Sequence, residues 1–327
     1  MTSTRKTYPL DALVSPRFAQ LGTFARLPYQ RELQDIDVAF IGIPFDGGTT
    51  FRTGARMGPQ AVRESSRLLR PYHLFLDVSP FDVFNVVDYG DVDVVPGSFQ
   101  DTAEAISRTL RPLLARRIVP LVCGGDHSIT LPVLRELARV HGPLNLIHFD
   151  SHFDFWDTYW GQKYTHGTWL RRCLEEGLLH RVAQAGIRGS QFSPDDLAYA
   201  AEHNIVVKTI KDFHDHGVFA ALGSILETLP ANEPLYVSWD IDVVDPAYAM
   251  ATGTPEVGGL TSWQALECLR ALVGKRLVGL DIVEVAPPYD APGAPTSLLA
   301  ANLFYEGISV LAKNYEQGMC VYLNLQE

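Results

Sequence analysis

Three short stretches of this chain concentrate aspartate and histidine. The first, Ile118–His127, ends in Cys-Gly-Gly-Asp-His, with Gly124 and Gly125 permitting a sharp turn before Asp126 and His127. The second, Leu146–Asp154, carries Asp150, His152 and Asp154 two residues apart, a spacing that puts all three on one side of an extended chain. The third, Tyr236–Asp242, places Asp240 and Asp242 on one face by the same rule. Taken singly, each has an ordinary explanation. Asp126 or Ser128 can cap a helix, an Asp-x-Asp pair can form a turn, and one histidine can sit satisfied in a core. Together they demand more. Asp150, Asp154, Asp240 and Asp242 gathered in one place repel one another, and burial raises the cost of charging them. Two divalent cations balance those four charges, and the imidazoles of His127 and His152 complete the set. Such an oxygen-rich mixture suits manganese better than zinc, which favours tetrahedral nitrogen and sulfur donors.

Two metals sharing one water lower its pKa towards neutrality and so supply hydroxide. A centre of this kind needs a proton carrier and a substrate anchor. His166, in Tyr164-Thr-His-Gly-Thr168, lies on a connecting loop beyond Asp154 and is the candidate carrier. Glu284 is an isolated carboxylate on an apolar run, and its two oxygens match a planar guanidinium. A buried ion pair with an arginine would account for it equally well.

The elements that must position these groups are legible as an alternation. Apolar, β-branched runs read as buried strands at Val38–Ile43, Val83–Val87, Ile118–Val122, Leu144–Phe149, Val182–Ile187, Ile205–Val207, Leu235–Ile241, Leu277–Val285 and Met319–Leu323. Helical spacing occupies the intervals at Gln60–Leu69, Thr102–Ala115, Ser128–Val140, Thr168–Leu174, Ser193–Glu202, Phe219–Leu226, Ser262–Leu272 and Leu298–Lys313. This pattern predicts a three-layer α/β/α sandwich with a mostly parallel sheet. In such folds ligands bind beyond the carboxyl ends of the strands, which is where the three stretches fall.

The bulk numbers agree with one such domain over residues 1–327. The chain is 46% hydrophobic and 20% charged, with no repeat, linker or run of apolar residues long enough to span a membrane. Residues 1–35 read as an extension packing on the domain or at subunit contacts. No secretory signal is evident, and Cys123, Cys173, Cys268 and Cys320 lack paired spacing, so buried reduced thiols and a cytoplasmic location are expected. The net charge of −11 argues against nucleic acid and accords with a small cationic ligand, although plain solubility explains it as well.

The ordered motifs resemble the ureohydrolase family, which includes arginase, agmatinase, guanidinobutyrase and guanidinopropionase. The likeness runs through Gly42-Ile-Pro-Phe-Asp46-Gly-Gly-Thr, Gly54-Ala-Arg-Met-Gly-Pro59, Gly124-Gly-Asp-His127-Ser, Asp150-Ser-His152-Phe-Asp154, Ser238-Trp-Asp240-Ile-Asp242 and Gly253-Thr-Pro-Glu256-Val-Gly-Gly259. Glu284-Val-Ala-Pro-Pro-Tyr-Asp290 is similar to the agmatinase type of ending. The resemblance implies the arginase/deacetylase fold and a homotrimer or homohexamer. It implies metal ligation by His127, Asp150, His152, Asp154, Asp240 and Asp242, with Asp150, Asp240 or both bridging. His166 would be the proton shuttle and Glu284 the guanidinium anchor. Three positions depart from the family: Ser151 stands where alanine is more usual, and Met250-Ala251 replaces Pro-Gly beside the site. The aromatic stretch Phe153–Trp160 either packs under a loop or brackets a cationic substrate, with Phe153 and Phe155 leaning to packing. Asp157, Tyr159 and Trp160 are the candidates for contact with the substrate tail.

The implied reaction is hydrolysis of a guanidino compound, such as agmatine or guanidinobutyrate, to an amine and urea, with two Mn²⁺ ions. Another reading is a nickel-dependent hydrolase of guanidine or of a substituted biguanide such as metformin. A deacetylase of the same fold fits less well, since that site binds a single zinc. A reading of another class is a non-catalytic partner subunit in a hetero-oligomer, against which the complete ligand set speaks.

Overall fold

The central apolar runs are buried on both faces, and the helices that follow carry the chain back over the sheet, so the strands pair in parallel. The computed structural model describes residues 7–319. Among them are strands β1 (Val38–Ile43), β2 (Val86–Asp91), β3 (Val119–Gly124), β4 (Leu144–Phe149), β5 (Leu179–Ile187), β6 (Val206–Thr209), β7 (Leu235–Asp240) and β8 (Leu277–Val283). They form one parallel sheet in the order β2-β1-β3-β8-β7-β4-β5-β6.

Alternate side chains of each strand enter opposite cores. Phe40, Leu121 and Val237 join one cluster, closed by packed helices that include Gly58–Ser66, Ser262–Arg270 and Pro295–Glu316. Ala39, Ile41 and Val122 join the other, under the helices Phe99–Ala115, Thr130–His141 and Trp169–Glu175. This is the expected three-layer sandwich. The segment before β1 is fastened to it: Phe24 stacks on Phe40 at 4.3 Å, and the Arg67 guanidinium donates to the carbonyls of Arg17, Ala19 and Gln20.

Several expected boundaries move. The second strand was expected at Val83–Val87, but Pro80–Val83 forms a helical turn and the strand runs Val86–Asp91. Proline suits the first turn of a helix. The strand then continues through two acids because Arg63 neutralises both, at 2.8 Å from Asp88 and 2.7 Å from Asp91. The last strand was expected to reach Val285 but stops at Val283, because Glu284 adopts a left-handed conformation with φ 62°. A helix at Ile210–His216 was not anticipated; the reciprocal cap between Thr209 and Asp212 starts it. The strand expected at Met319–Leu323 lies, from Cys320 onward, outside the described residues.

Candidate metal centre

The motif-bearing strands β3, β8, β7 and β4 are consecutive in the sheet, so their carboxyl ends share one edge. At the end of β3 the chain turns beneath the loop that follows β1. A Cβ on Gly125 would stand 1.7 Å from the Phe45 carbonyl oxygen, so only glycine fits there. Asp126 holds the turn, accepting from the Ser128 amide at 2.9 Å and the Gly48 amide at 2.6 Å. It is a cap and not a ligand. Burial, aided by the charge of Glu284, raises its carboxyl to about 6.

The six expected ligands converge. His127 Nδ1 lies 3.3, 3.2 and 3.2 Å from oxygens of Asp150, Asp154 and Asp240. His152 Nδ1 lies 3.0 Å from Asp242 Oδ2 and 3.4 Å from Asp150 Oδ1. Asp150 therefore faces both histidines, one with each oxygen. Two sets have ligand atoms close enough to share an ion: His127, His148, Asp150 and Asp154, and then Asp150, His152 and Asp242. The expected cause of this convergence needs correction. The strands end at Phe149 and Asp240, and the residues beyond are not extended. Asp150 accepts the His152 amide at 2.6 Å and Asp240 accepts the Asp242 amide at 2.8 Å, so each carboxylate bends its own chain into a turn. Asp154 then takes φ 55°, a left-handed conformation uncommon for non-glycine residues but better tolerated by aspartate and asparagine than by most.

The electrostatics call for added positive charge. Burial, then the charges of Asp242 and Asp150, push Asp240 well above the ordinary carboxylate range, and burial raises Asp242 as well. Burial opposes charging His127, yet hydrogen bonds to Asp150, Asp154 and Asp240 outweigh it and hold the imidazole far above its usual value. Without metal, the cluster must take up protons to be stable. Asp242 Oδ2 and Glu284 Oε2 are buried with no hydrogen-bond partner, a costly state for a carboxylate oxygen. This donor set fits a binuclear centre of divalent cations.

Sequence reasoning missed the groups that aim the ligands. His127 Nε2 lies 2.8 Å from Ser238 Oγ, which donates to Asp281 Oδ1 at 2.6 Å. Ser238 thus accepts from Nε2–H, which leaves Nδ1 facing the carboxylates, protonated in the metal-free cluster and able to offer its lone pair to a cation once that proton is lost. Asp281 is wholly buried and also accepts from Thr130 and Tyr236 at 2.8 Å each. His148 Nε2 lies 2.7 Å from Asp150 Oδ2, while the Gln184 amide donates to His148 Nδ1 at 3.1 Å and to the Phe153 carbonyl at 2.8 Å. His148 therefore donates to Asp150 through Nε2–H. Its place on β4, two residues before Asp150, was the available signal. Trp169 had no signal; it stacks on His127 at 4.7 Å and donates to Asp154 Oδ2 at 2.9 Å.

Beside the ligands, His166 Nδ1 meets Glu284 Oε1 at 2.9 Å. The Thr50 amide donates to His166 Nε2 at 3.2 Å, so the neutral ring carries its proton on Nδ1. Burial works against the imidazolium, but the Glu284 charge raises it to about 8. Glu284 Oε1 also accepts the His127 amide at 3.0 Å, which leaves only Oε2 for another donor. The two-oxygen pairing expected with a guanidinium would thus find only one oxygen without a partner. No arginine pairs with Glu284 among the described residues, in contrast to the ion-pair reading. Gly253 leaves the approach clear, since a Cβ there would stand 3.1 Å from Oε2.

A cavity of about 390 Å³ opens over the centre. His152, Asp154, Asp240 and His166 reach it from below; Trp156, Tyr159, Trp160, Phe192 and Glu256 form its mouth. Tyr159 and Trp160, two of the expected contacts of a substrate tail, line this cavity. Asp157 does not: Arg172 holds its carboxylate at 2.9 Å, away from the cavity wall. Phe153 and Phe155 are buried, ring against ring at 5.0 Å, as packing residues. Met250 does not line the cavity either; Ala251 behind it is buried and accepts the Ala286 amide at 2.9 Å.

Comparison with known proteins gives a consistent result. Residues 36–309 match the model of the arginase family. A guanidinopropionase of Pseudomonas aeruginosa is 47% identical over 94% of this chain and 96% of its own length. A mitochondrial agmatinase of Gallus gallus is 42% identical over 94% of this chain and 91% of its own. Among solved structures, proclavaminate amidino hydrolase from Streptomyces clavuligerus superposes with a TM-score of 0.87 at 40% identity, covering 92% of this chain and 100% of that one.

Proposed function

Because the chain belongs to the arginase family, we propose that it is a binuclear-metal hydrolase that splits a guanidino compound into an amine and urea. The observation that carries this reading is the convergence of four buried carboxylates and two histidines beside the His166–Glu284 pair. His127, Asp150, His152, Asp154, Asp240 and Asp242 would hold the ions, and the oxygen-rich set favours Mn²⁺ over Ni²⁺. When bound, the pair of ions supplies a hydroxide at neutral pH.

The chain's own residues do the rest. The single free oxygen of Glu284 accepts from the guanidinium and holds its central carbon over the centre, a positioning effect that can account for much of a rate enhancement. As the imidazolium, His166 carries its second proton at Nε2, beside the Thr50 hydroxyl at 2.6 Å, and gives it to the departing amine, returning to the neutral Nδ1–H form. Glu284 stabilises the imidazolium in that interval.

The walls speak to the tail of the substrate. No lysine or arginine lines the cavity, whereas Glu256 and four aromatic rings do. Such walls favour a cationic or uncharged tail over a carboxylate. The nickel-dependent biguanide and partner-subunit readings are not favoured by the relatives found. The reading includes one domain, a cytoplasmic location and a homotrimer or homohexamer. Large exposed side chains such as Leu13, Phe18 and Phe75 are available for subunit contacts, and no described helix is long and apolar enough to cross a membrane.

The test is urea release by the purified chain loaded with Mn²⁺ or Ni²⁺, against agmatine, guanidinobutyrate, guanidinopropionate, guanidine and dimethylbiguanide. Agmatine with Mn²⁺ should give the highest kcat/KM. No urea from any of them would refute the reading, and preference for a carboxylate tail would refute its substrate part.

A further inference from the structure

Ser151 lies between the two ligands Asp150 and His152, is wholly buried, and spends both of its hydrogen-bond donors on one atom. Its amide reaches Asp242 Oδ1 at 3.1 Å and its hydroxyl reaches the same oxygen at 2.7 Å. The other oxygen, Oδ2, is buried with no hydrogen-bond partner and stands 3.0 Å from His152 Nδ1. The two oxygens of one carboxylate are thus in opposite situations.

The frame around this contact is stiff. The Arg188 amide donates to the Ser151 carbonyl at 3.1 Å, and the Arg188 guanidinium donates to the Asp242 carbonyl at 2.7 Å. The hydroxyl has one proton. At 2.7 Å from Oδ1 against 3.2 Å from His152 Nδ1, that proton goes to the carboxylate. An oxygen that accepts two hydrogen bonds has little lone-pair density left for a cation, and turning it inward would strand a buried hydroxyl and amide.

On the binuclear reading given above, we propose that Ser151 makes Asp242 a one-oxygen ligand: Oδ1 is retained by the protein and Oδ2 alone is offered to the ion shared with Asp150 and His152. That ion has one donor fewer than a chelating Asp242 would give it. Affinity for hard divalent cations follows the number and rigidity of oxygen ligands, so this position is the looser of the two. The ion beside His127, backed by the Ser238–Asp281 relay, is the tighter.

Replacing the hydroxyl tests this. Ser151→Ala deletes one buried atom and keeps the backbone amide, so the fold should persist. Oδ1 then has a single donor and is free to turn towards the ion. Titration of metal-free protein with Mn²⁺ by calorimetry should show the weaker site tightening, because the ion gains a second oxygen of Asp242, whereas removing a hydrogen bond that merely supports a ligand would weaken it by about tenfold or more. The tighter site should not move. Crystal structures of the Mn²⁺-loaded proteins should show Asp242 bound through Oδ2 alone in the parent and through both oxygens in Ser151→Ala. Asp242 chelating through both oxygens in the parent would overturn the proposal. So would a weaker site that is unchanged or further weakened in the variant. A parent that binds no second ion would fail the binuclear reading itself, and this inference with it; the parent titration alone reveals that case.

Discussion

His166 Nδ1 lies 2.9 Å from Glu284 Oε1, and Glu284 holds that position in a left-handed backbone conformation at the very end of β8. A non-glycine residue there is strained by about 1–2 kcal/mol, a cost that persists only where surrounding contacts over-determine it. The hydrogen bond that the Glu284 amide donates to the Gly125 carbonyl at 2.8 Å, and the one that the His127 amide donates to the Glu284 carboxylate, are those contacts.

Removing the imidazole should separate chemistry from metal binding. His166→Ala is expected to lower kcat by about two to four powers of ten, the usual worth of a positioned acid–base group. Metal content, read by elemental analysis of the same preparation, should equal that of the parent. Joint loss of metal and activity would make His166 a structural residue.

The charge of Glu284 should be visible at the ring it touches. In metal-free protein, Glu284→Gln should bring the His166 pKa down from about 8 towards its ordinary value, as followed by NMR titration. The sign extends to stability. A histidine raised in the folded state contributes stability in full below about pH 6.5, and that contribution fades as pH rises through about 8. Glu284→Gln should flatten that limb. With metal bound, kcat/KM for the best guanidino substrate should fall at least a hundredfold; a change of only a few-fold would mean that another group holds the guanidinium.

Asp240 should behave oppositely with and without metal. Its carboxyl is raised by burial and by Asp242 and Asp150, so its charge destabilises the empty cluster at neutral pH. Asp240→Asn should therefore raise the Tm of chelator-treated protein while abolishing most of the Tm gain that Mn²⁺ gives the parent. A lower Tm in the metal-free variant would contradict the repulsion argument.

A second histidine, remote from the centre, sets an acid limit. Burial, with the Arg276 charge adding, lowers His141 to about 4. The unfolded chain then binds more protons than the folded one between about pH 6.5 and 4, so stability is lost as pH falls through that window. Urea unfolding at pH 6.5 and 5 should show a smaller drop for His141→Gln than for the parent.

What the sequence disclosed depended on how local the cause was. The clustering of the six Asp and His side chains, the place of His166 beside them and the sandwich were legible because motifs and strand runs are contiguous. The state of Glu284 was not: Oε1 is engaged by His127 and His166, 157 and 118 residues away in sequence, and only Oε2 lacks a partner. Trp169, Ser238 and Asp281 were invisible for the same reason. Asp157 looked available by its neighbours in sequence, and an arginine fifteen residues on took it away. Even the correct convergence of Asp240 and Asp242 came from a side-chain turn that two-residue periodicity does not describe.

The strand order also bears on how the protein is made. β3 and β4 are neighbours in sequence, yet β8 and β7 lie between them in the sheet. Three strand spacings separate their axes, about 14 Å. A nascent chain that has left the ribosome only as far as residue 234 already possesses His127, Asp150, His152 and Asp154, but its halves have nothing between them. The last third of the polypeptide must thread into the middle of the sheet before the two halves can face one another. On the proposed binuclear reading, loading with metal is then expected to come late in biogenesis, and a product truncated at residue 234 is expected to lack the site however complete its early motifs.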